Sequence, residues 1–456
     1  MNFGDVVSAR LFFPILYPLL GTPANPRWGV RSMAAERLRQ MELPRNEIRA
    51  LSADRLHRTL VYAARHCEFY RERFRGCGLK RESDLVVQNL SQIPPLTRHE
   101  VQGHLLDMIS KNVGRTTWRE NSSGGSTGNP VVLLQDAEYR REGNAVTFAS
   151  DMIQGWNYGN RVGYLWGARR DTNPFQGMFG RVVNFVRNRR VYDSFDMGAT
   201  QMRDFHEDLT RFHPHNLIAY AGSAFLLSSF LLNERIKPTY PAVSIITSAE
   251  TLTEQMRAQI SECFGVPVYN RYGSREVGNI ASECSSHRGL HLLPDKHVEV
   301  VDGESGMPLM SKPGKILVTL FSNLAMPLIR YDIGDIGILT DEGCDCGLNS
   351  PLLKKVLGRS SDFITSPSGR LIHGEYFTHI FYGHRNIRQF LFVQESNTRF
   401  NVKIVAVAHL DAGQKAHLLG EIESVLGDDA EVRIEFVDRI PPQPSGKFRF
   451  TVSKVS

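Results

Sequence analysis

Four short stretches of this 456-residue chain carry residues suited to holding a nucleotide. The first is a loop of small and polar residues: Ser123, Gly124, Gly125, Ser126, Thr127 and Gly128. Glycines let backbone N–H groups converge on an anion, and hydroxyls add donors without bulk. Because Asn129 and Pro130 follow where a Gly-Lys pair is required, this is not a Walker loop. The loop predicts phosphate binding, with a flexible turn as the alternative.

A second stretch combines an aromatic ring with a carboxylate: Tyr272, Gly273, Ser274, Arg275 and Glu276. The tyrosine offers a flat face to a purine. Glu276 can hold Mg²⁺ beside a nucleotide, because Mg²⁺ prefers one or two carboxylates plus phosphate oxygens. The alternative is a strand end that carries a solvated pair of Glu276 and Arg275.

Two further stretches each supply one charged group. Asp335 follows Gly334 and can accept both hydroxyls of a ribose, whereas the alternative is a hairpin turn capped by an aspartate. Lys447 follows Gly446 near the C-terminus. From such a loop a lysine can reach into a cleft and neutralise a developing phosphate charge, whereas the alternative is a solvated basic tail.

Three cysteines and a histidine have the spacing of a structural zinc site. The set pairs Cys284 with His287 and Cys344 with Cys346. Three thiolates and one imidazole form a closed tetrahedral shell for Zn²⁺. His291 is the rival fourth ligand, and three buried free thiols are the alternative to a metal. We predict structural zinc.

Composition is that of an ordinary globular protein, with 41% apolar and 22% charged residues. The net charge of +6 does not by itself indicate nucleic acid, and we expect no such partner. No apolar run is long enough to span a bilayer. Residues 11–20 are apolar but contain two prolines; they either pack on the protein or contact a membrane surface. Cysteines without a secretory signal indicate the reducing cytosol, and we expect a cytoplasmic protein.

The pattern of apolar residues predicts the elements that position these groups. Residues 36–78 read as helical, and two short apolar runs, 216–220 and 243–247, are each followed by a helical pattern. Strand followed by helix, repeated, predicts parallel sheets with helices on both faces, hence an α/β fold. Residues 297–301 and 315–320 alternate as half-buried antiparallel strands do.

Length and pattern also predict the domains. We expect a large N-terminal domain of stacked αβα sheets over residues 1–357, with a small β subdomain at about 284–350 that zinc stabilises. A hinge at 358–362 and a small mobile α+β domain at 363–456 complete the chain.

Taken in order, these motifs resemble the adenylate-forming superfamily of acyl-CoA synthetases. The resemblance is greatest to the phenylacetate–CoA ligase-like branch and its capsular-polysaccharide-biosynthesis subgroup. It covers nearly the whole chain, at residues 69–74, 123–128, 165–167, 247–250, 272–276, 331–335, 358–362 and 446–449.

The resemblance implies a role for each motif. Residues 123–128 would wrap the β- and γ-phosphates of ATP, and Ser248, Ala249 and Glu250 would border the adenine. Tyr272, followed by Gly273 and Ser274, would stack on the adenine. Asp335 would take the ribose hydroxyls, assisted by Arg359. Glu276 would bind Mg²⁺.

The implied reaction is attack of a carboxylate on the α-phosphorus of ATP, followed by transfer of the acyl group to coenzyme A. Lys447 would bridge the carboxylate and the α-phosphate. Rotation of the C-terminal domain about Ser361 and Asp362 would then withdraw it. The chain departs from the family at Gly125, Asn129 and the Asp332-Ile333 pair, which weakens individual loop contacts.

The acyl pocket is expected between two segments, with Trp166 and Gly167 on one side and Tyr220, Ala221 and Gly222 on the other. The substrate would be a small carboxylic acid. The acceptor is either coenzyme A or an amine or hydroxyl of a sugar precursor. The rival class is a catalytically inactive nucleotide-binding scaffold. A homodimer is a further expectation.

Overall fold

The computed structural model describes most of the chain beyond residue 28: residues 29–114, 118–122, 131–166, 177–194, 197–359, 363–369, 371–373, 377, 380–381, 384, 386–408, 410–441 and 450–455. Of residues 177–181, 359, 363, 371 and 373 the backbone alone is described. The chain divides into two compact units. One comprises residues 1–252 and 256–356, and the other comprises residues 253–255 and 357–456.

Three helices begin the described part: α1 (Val30–Glu42), α2 (Arg45–His66) and α3 (Glu68–Gly76). The sequence predicts helix over this whole region, but the structure breaks it twice. Pro44 ends the first helix, because a residue before proline is driven out of the helical region and Leu43 is extended at ψ 156°. Cys67 is extended at φ −118° and separates α2 from α3.

Two short helices and a hairpin follow. The helices are α4 (Arg98–Gly103) and α5 (Leu105–Met108). The side chain of Thr97 accepts from the Glu100 N–H while the Glu100 carboxylate accepts from the Thr97 N–H, so a capping box starts α4. Strands β1 (Trp118–Ser122) and β2 (Val132–Asp136) then pair antiparallel.

One sheet of eleven strands, in the order β10-β11-β12-β13-β9-β8-β7-β6-β5-β3-β4, dominates the described N-terminal unit. Strands β4, β3, β5, β6 and β7 run parallel, whereas β8 and β9 pair antiparallel with their neighbours, as do β10 to β12 among themselves. The bounds are Val162–Leu165 (β3), Arg189–Tyr192 (β4), Asn216–Tyr220 (β5), Ser244–Ser248 (β6), Val268–Ser274 (β7), Gly278–Glu283 (β8), Leu290–Leu292 (β9), Lys296–Val301 (β10), Pro313–Leu320 (β11), Tyr331–Thr340 (β12) and Leu352–Arg359 (β13).

Helices join the parallel strands, as the alternating pattern predicts. They are α6 (Ala137–Ile153), α7 (Gly177–Val186), α8 (Ala199–Phe212), α9 (Ala221–Asn233) and α10 (Glu254–Phe264). The predicted α/β class is confirmed. The strands of the predicted β subdomain belong to the same hydrogen-bonded sheet as the parallel strands, since β9 and β13 link the two regions.

The C-terminal unit is a small α+β structure. It has a hairpin of β14 (Phe363–Thr365) and β15 (Leu371–His373) and a sheet of order β18-β17-β16-β19. The sheet strands are β16 (Ile387–Gln394), β17 (Arg399–Ala406), β18 (Glu431–Phe436) and β19 (Thr451–Ser453), and the helix is α11 (Ala412–Leu426). Its core combines phenylalanines with isoleucines, leucines and valines; Phe377 stacks on Phe392 with ring centroids 4.0 Å apart.

Each helix in the described residues is too short or too polar to cross a membrane.

Candidate functional site

Four neighbouring parallel strands end at one edge of the large sheet, and the residues predicted for the acyl pocket and the adenine lie at these ends. Leu165, the last residue of β3, pairs with Ala219 near the end of β5. Tyr220 pairs with Ser248, and Ser248 pairs with Arg271. Ligands of open α/β sheets bind outside the carboxyl ends of the strands. This edge is therefore the candidate nucleotide and acid site.

The predicted acyl residues form an aromatic wall at this edge. The ring of Trp166, half-buried, lies 4.4 Å from that of Tyr220 between centroids, at 49°. Tyr220 is buried, and α9 begins directly after it at Ala221. The structure thus brings together the two sides that the sequence assigns to an acid pocket, except that Gly167 lies outside the described residues.

One hydrogen bond joins the predicted adenine segment, residues 248–250, to the predicted acyl segment, residues 220–222. The backbone N–H of Gly222 donates to Oε2 of Glu250 at 2.7 Å. Gly222 lies in the first turn of α9, where N–H groups lack partners within the helix and favour a negative charge. Sequence spacing does not indicate this contact, because the two residues come from different strand-to-helix connections.

Ala249, between Ser248 and Glu250, has a left-handed backbone with φ 70°. This conformation costs an L-residue about 1–2 kcal/mol, because its Cβ crowds the following carbonyl oxygen. The bond between Glu250 and Gly222 helps to hold the turn in this shape. Strain of this kind persists where surrounding contacts enforce it, often at ligand sites.

Tyr272 and Asp335 are joined directly. The tyrosine hydroxyl donates to Oδ2 of Asp335 at 2.7 Å, although β8, β9 and β13 lie between their strands in the sheet. Both side chains are half-buried. A carboxylate accepts several hydrogen bonds on its two oxygens, so Asp335 can meet a ribose hydroxyl while the tyrosine holds it.

Other residues around Asp335 shape the backbone. The Gly334 N–H donates to Oδ1 of Asp332 at 2.9 Å, and Gly334 has φ +81°. Arg330 is fully buried in an ion pair with Glu299 at 3.0 Å. Asp335 lies within strand β12, so the hairpin-turn alternative does not apply.

The turn after β7 holds the predicted magnesium ligand. At Gly273 an added Cβ would lie 2.5 Å from the carbonyl oxygen of Gly278, so this close strand approach requires glycine. The Ser274 hydroxyl accepts from the Val277 N–H at 3.4 Å within the turn. Glu276 lies half-buried in this turn.

The same turn contacts β1, the strand that precedes the predicted phosphate loop in the chain. The Asn121 side chain, on β1, donates to the Arg275 carbonyl at 3.4 Å. The ladder of β1 and β2 pairs Ser122 with Val132, the two residues that bracket the loop. The strand residues on either side of the loop in the chain therefore lie near the Glu276 turn.

Several predicted residues lie outside the described residues, so their roles stay predictions: Ser123, Gly124, Gly125, Ser126, Thr127, Gly128, Ser361, Asp362 and Lys447. The side chain of Arg359 is also outside them.

A buried ion pair that the sequence does not indicate supports the site. Arg271, on β7, donates to Asp151 of α6 at 2.6 Å, and both side chains are nearly inaccessible. Burial raises the pKa of the Asp151 carboxyl even though the arginine opposes the shift. The pair fixes α6 against the strand that carries Tyr272.

The predicted cysteines meet, but with a different histidine. The ligating atoms of Cys284, His291, Cys344 and Cys346 all lie within 4.8 Å of one another. The sulfurs of Cys284 and Cys344 are 3.5 Å apart, and Nε2 of His291 is 3.3 Å from the Cys346 sulfur. In a tetrahedral zinc shell neighbouring sulfurs lie about 3.8 Å apart, so the four groups fit this metal.

This geometry corrects the predicted ligand set, in which His287 was the fourth member. Nδ1 of His287 lies 3.2 Å from Oε1 of Glu283, and its ring stacks on Tyr269. His291 is instead fully buried on β9, where the Ser350 hydroxyl lies 3.2 Å from its Nδ1. Such a partner orients the ring of a metal-binding histidine.

Comparisons with known proteins agree with the fold. Residues 364–454 match the family model of the CapK C-terminal domain. The chain is 24% identical over 434 residues to Protein CapK of Staphylococcus aureus, covering 90% of each. It is 27% identical over 331 residues to phenylacetate–coenzyme A ligase of Thermus thermophilus, covering 71% of this chain and 72% of the relative.

A solved structure of 2-hydroxyisobutyryl-CoA ligase, in complex with R3-HIB-AMP, covers 91% of both chains with a TM-score of 0.73. At 17% identity this likeness shows the fold. Sequence, family model and fold agree, and the resemblance of this chain to the phenylacetate–CoA ligase-like, CapK-type branch of the adenylate-forming superfamily is therefore confirmed.

Proposed function

We propose that this chain activates a small carboxylic acid with ATP, releasing pyrophosphate, and passes the acyl group to coenzyme A. One observation carries the proposal: the candidate groups for the acid and the adenine lie at one edge of the sheet, and the candidate group for the ribose is hydrogen-bonded to Tyr272 of that edge. Trp166 contacts Tyr220, Glu250 binds the start of α9, and Tyr272 holds Asp335. Two enzymes named as CoA ligases are similar to this chain, which supports the same chemistry here.

Each group has a stated part in the first step. Asp335 would accept the ribose hydroxyls, and Tyr272 would lie against the adenine, with Ser248 to Glu250 bordering it. The phosphate loop at 123–128 would hold the β- and γ-phosphates, and Arg359 would assist Asp335. These contacts would fix the α-phosphorus beside the acid, which lowers the entropic cost of the reaction.

The attacking carboxylate and the triphosphate are both anionic, so positive charge is needed between them. Within the described part of the chain no arginine or lysine is ion-paired with Glu276, and a half-buried carboxylate of this kind fits Mg²⁺. Mg²⁺ would supply charge neutralisation at the phosphates when bound. Lys447 would supply the second positive charge at the α-phosphate.

In the proposed second step, coenzyme A would approach the adenylate from the position that Lys447 occupied in the first step, so the lysine must first withdraw. We therefore propose that residues 358–362, with Ser361 and Asp362, act as a hinge and that residues 363–456 act as a mobile lid. We also propose structural Zn²⁺ at Cys284, His291, Cys344 and Cys346, since four protein ligands close the shell.

Pyrophosphate exchange into ATP tests the first step. Full-length chain with Mg²⁺ is assayed against a panel of aromatic and short aliphatic acids, with and without each acid. Acid-dependent exchange for at least one acid is expected. ATP binding without exchange across the panel would favour the inactive scaffold.

The acceptor is tested separately with the best acid. Thioester formation is followed with coenzyme A, and adenylate consumption is followed with amino and hydroxyl sugars in its place. Rapid thioester formation supports the proposal, whereas turnover only with a sugar would replace coenzyme A by that acceptor.

A further inference from the structure

A second cluster of metal-ligating side chains lies in the C-terminal unit, and none of its members has a part in the proposed reaction. His384 precedes β16, whereas His417 and Glu421 lie on α11. Their ligating atoms all lie within 4.8 Å of one another. His384 and Glu421 are 37 positions apart in the chain, so the fold and not a local repeat brings them together.

The cluster is organised around one carboxylate. His417 and Glu421 are four residues apart on a helix and therefore share a face. Nε2 of His384 lies 2.8 Å from Oε2 of Glu421, and Nε2 of His417 lies 4.0 Å from the same oxygen. The two rings are 5.7 Å apart between centroids, at 60° to each other. Both imidazoles thus present a nitrogen to the same carboxylate oxygen.

These separations are close to those of a metal shell. Neighbouring nitrogen and oxygen ligands of tetrahedral Zn²⁺ lie about 3.3 Å apart. The observed 2.8 Å and 4.0 Å lie on either side of that value. Changes of about 0.5–0.7 Å in the two separations would admit a cation in place of the bridging proton.

Exposure indicates how the shell would form. The side chain of His384 is 16% exposed and that of Glu421 is 38% exposed, so this pair is preformed in a partly enclosed position. His417 is 71% exposed and can complete the shell from solvent. Three protein ligands leave a coordination position for water.

We propose that His384, His417 and Glu421 bind a divalent transition-metal cation such as Zn²⁺ or Ni²⁺. Two imidazoles and a carboxylate suit cations of this class better than Mg²⁺ or Ca²⁺, which prefer oxygen ligands. The bound cation joins the segment before β16 to α11. Because it binds only the folded C-terminal unit, it stabilises that unit by mass action.

Calorimetric titration of the tag-free, full-length chain tests this site. The chain first receives one equivalent of Zn²⁺, which the closed cluster of three thiolates and an imidazole takes in preference. It is then titrated with Ni²⁺, and the wild type is compared with His417→Ala and Glu421→Gln. Glu423→Gln is the matched control, because Glu423 is exposed on the same helix and outside the cluster.

The wild type and Glu423→Gln are expected to show a binding isotherm, and a metal-dependent rise in Tm, that both cluster variants lose. Since His417 is an exposed helix residue, His417→Ala should leave the fold intact, and its Tm without metal checks this. Equal Ni²⁺ stoichiometry in the wild type and both cluster variants would show that His384 and Glu421 form a hydrogen-bonded pair only, and would overturn the proposal.

Discussion

At the residue scale, the hydrogen bond from Tyr272 to Asp335 orients the carboxylate that is proposed to bind the ribose. Without a partner, the carboxylate would have more rotamers available and would lose more entropy when a nucleotide orders it. The tyrosine thus has two parts in the proposed site: a ring face for the adenine and a hydroxyl that positions its neighbour.

Tyr272→Phe tests that positioning part, because it keeps the ring and removes the hydroxyl. A hydrogen bond to a charged group contributes about 1.5–3 kcal/mol, so KM for ATP should rise about tenfold or more. The KM for the acid and kcat should change little. Steady-state kinetics measure all three, with Tyr269→Phe on the same strand as the control. An unchanged KM for ATP would remove Tyr272 from the positioning of Asp335.

Lys447→Ala tests the proposed charge at the α-phosphate. Loss of a preorganised charge at a reacting centre costs about 10²–10³ in rate, so acid-dependent pyrophosphate exchange should be nearly abolished. Lys454→Ala is the control, since Lys454 pairs with Glu395 on the surface. Full exchange activity in the Lys447 variant would contradict the assignment.

At the element scale, Glu250 couples two strand-to-helix connections through the first turn of α9. Glu250→Ala should cost about 1 kcal/mol of stability through the lost hydrogen bond to the first turn of α9. It should also raise the KM for both ATP and the acid, because the adenine and acyl segments are no longer fastened together.

The control for Glu250→Ala is Asp411→Ala, which removes the capping side chain of α11 in the other unit. It should lower stability by a similar amount and leave both KM values unchanged. Chemical unfolding and kinetics measure the two effects. An equal rise of the KM values in both variants would show that the Glu250 effect comes from a general loss of stability.

The cysteine cluster joins three parts of the antiparallel region that are distant in sequence. Cys284 follows β8, His291 is on β9, and Cys344 and Cys346 lie between β12 and β13. Metal analysis after dialysis should find one zinc fewer per chain in Cys344→Ser than in the wild type, with Tm lowered in the variant. Cys77→Ser, a free cysteine elsewhere, should keep the metal. Zinc-free wild-type chain would refute the site.

The local sequence pattern predicts strands well where a short apolar run is followed by a helical pattern. The runs at 216–220 and 243–247 became β5 and β6, with ends displaced by at most one residue. Residue spacing alone does not predict that His291 and not His287 lies beside the cysteines, because this depends on how β8 and β9 pair. The buried ion pair of Arg271 and Asp151 is likewise not predictable from the sequence, because the two residues are 120 positions apart and only the tertiary fold brings them together.

At the scale of the whole molecule, the proposed reaction needs two positions of the C-terminal unit. Ser361→Pro restricts the backbone of the proposed hinge, because proline fixes φ and constrains the residue before it. Thioester formation should fall more than pyrophosphate exchange, as measured in separate half-reactions with the same acid. Ser361→Ala should leave both half-reactions near wild type, and equal loss of both in the proline variant would contradict the hinge.

The positions of the site residues within the strands bear on how such a protein can diversify. Tyr272 lies in a paired strand and Asp335 lies inside β12, so strand backbones fix the positions of both side chains. Trp166 and Ala221 come directly after the last residue of their strands, β3 and β5. In the proposed site, strands would therefore hold the ribose groups, whereas part of the acid pocket would lie in the connections between elements, which tolerate sequence change more readily.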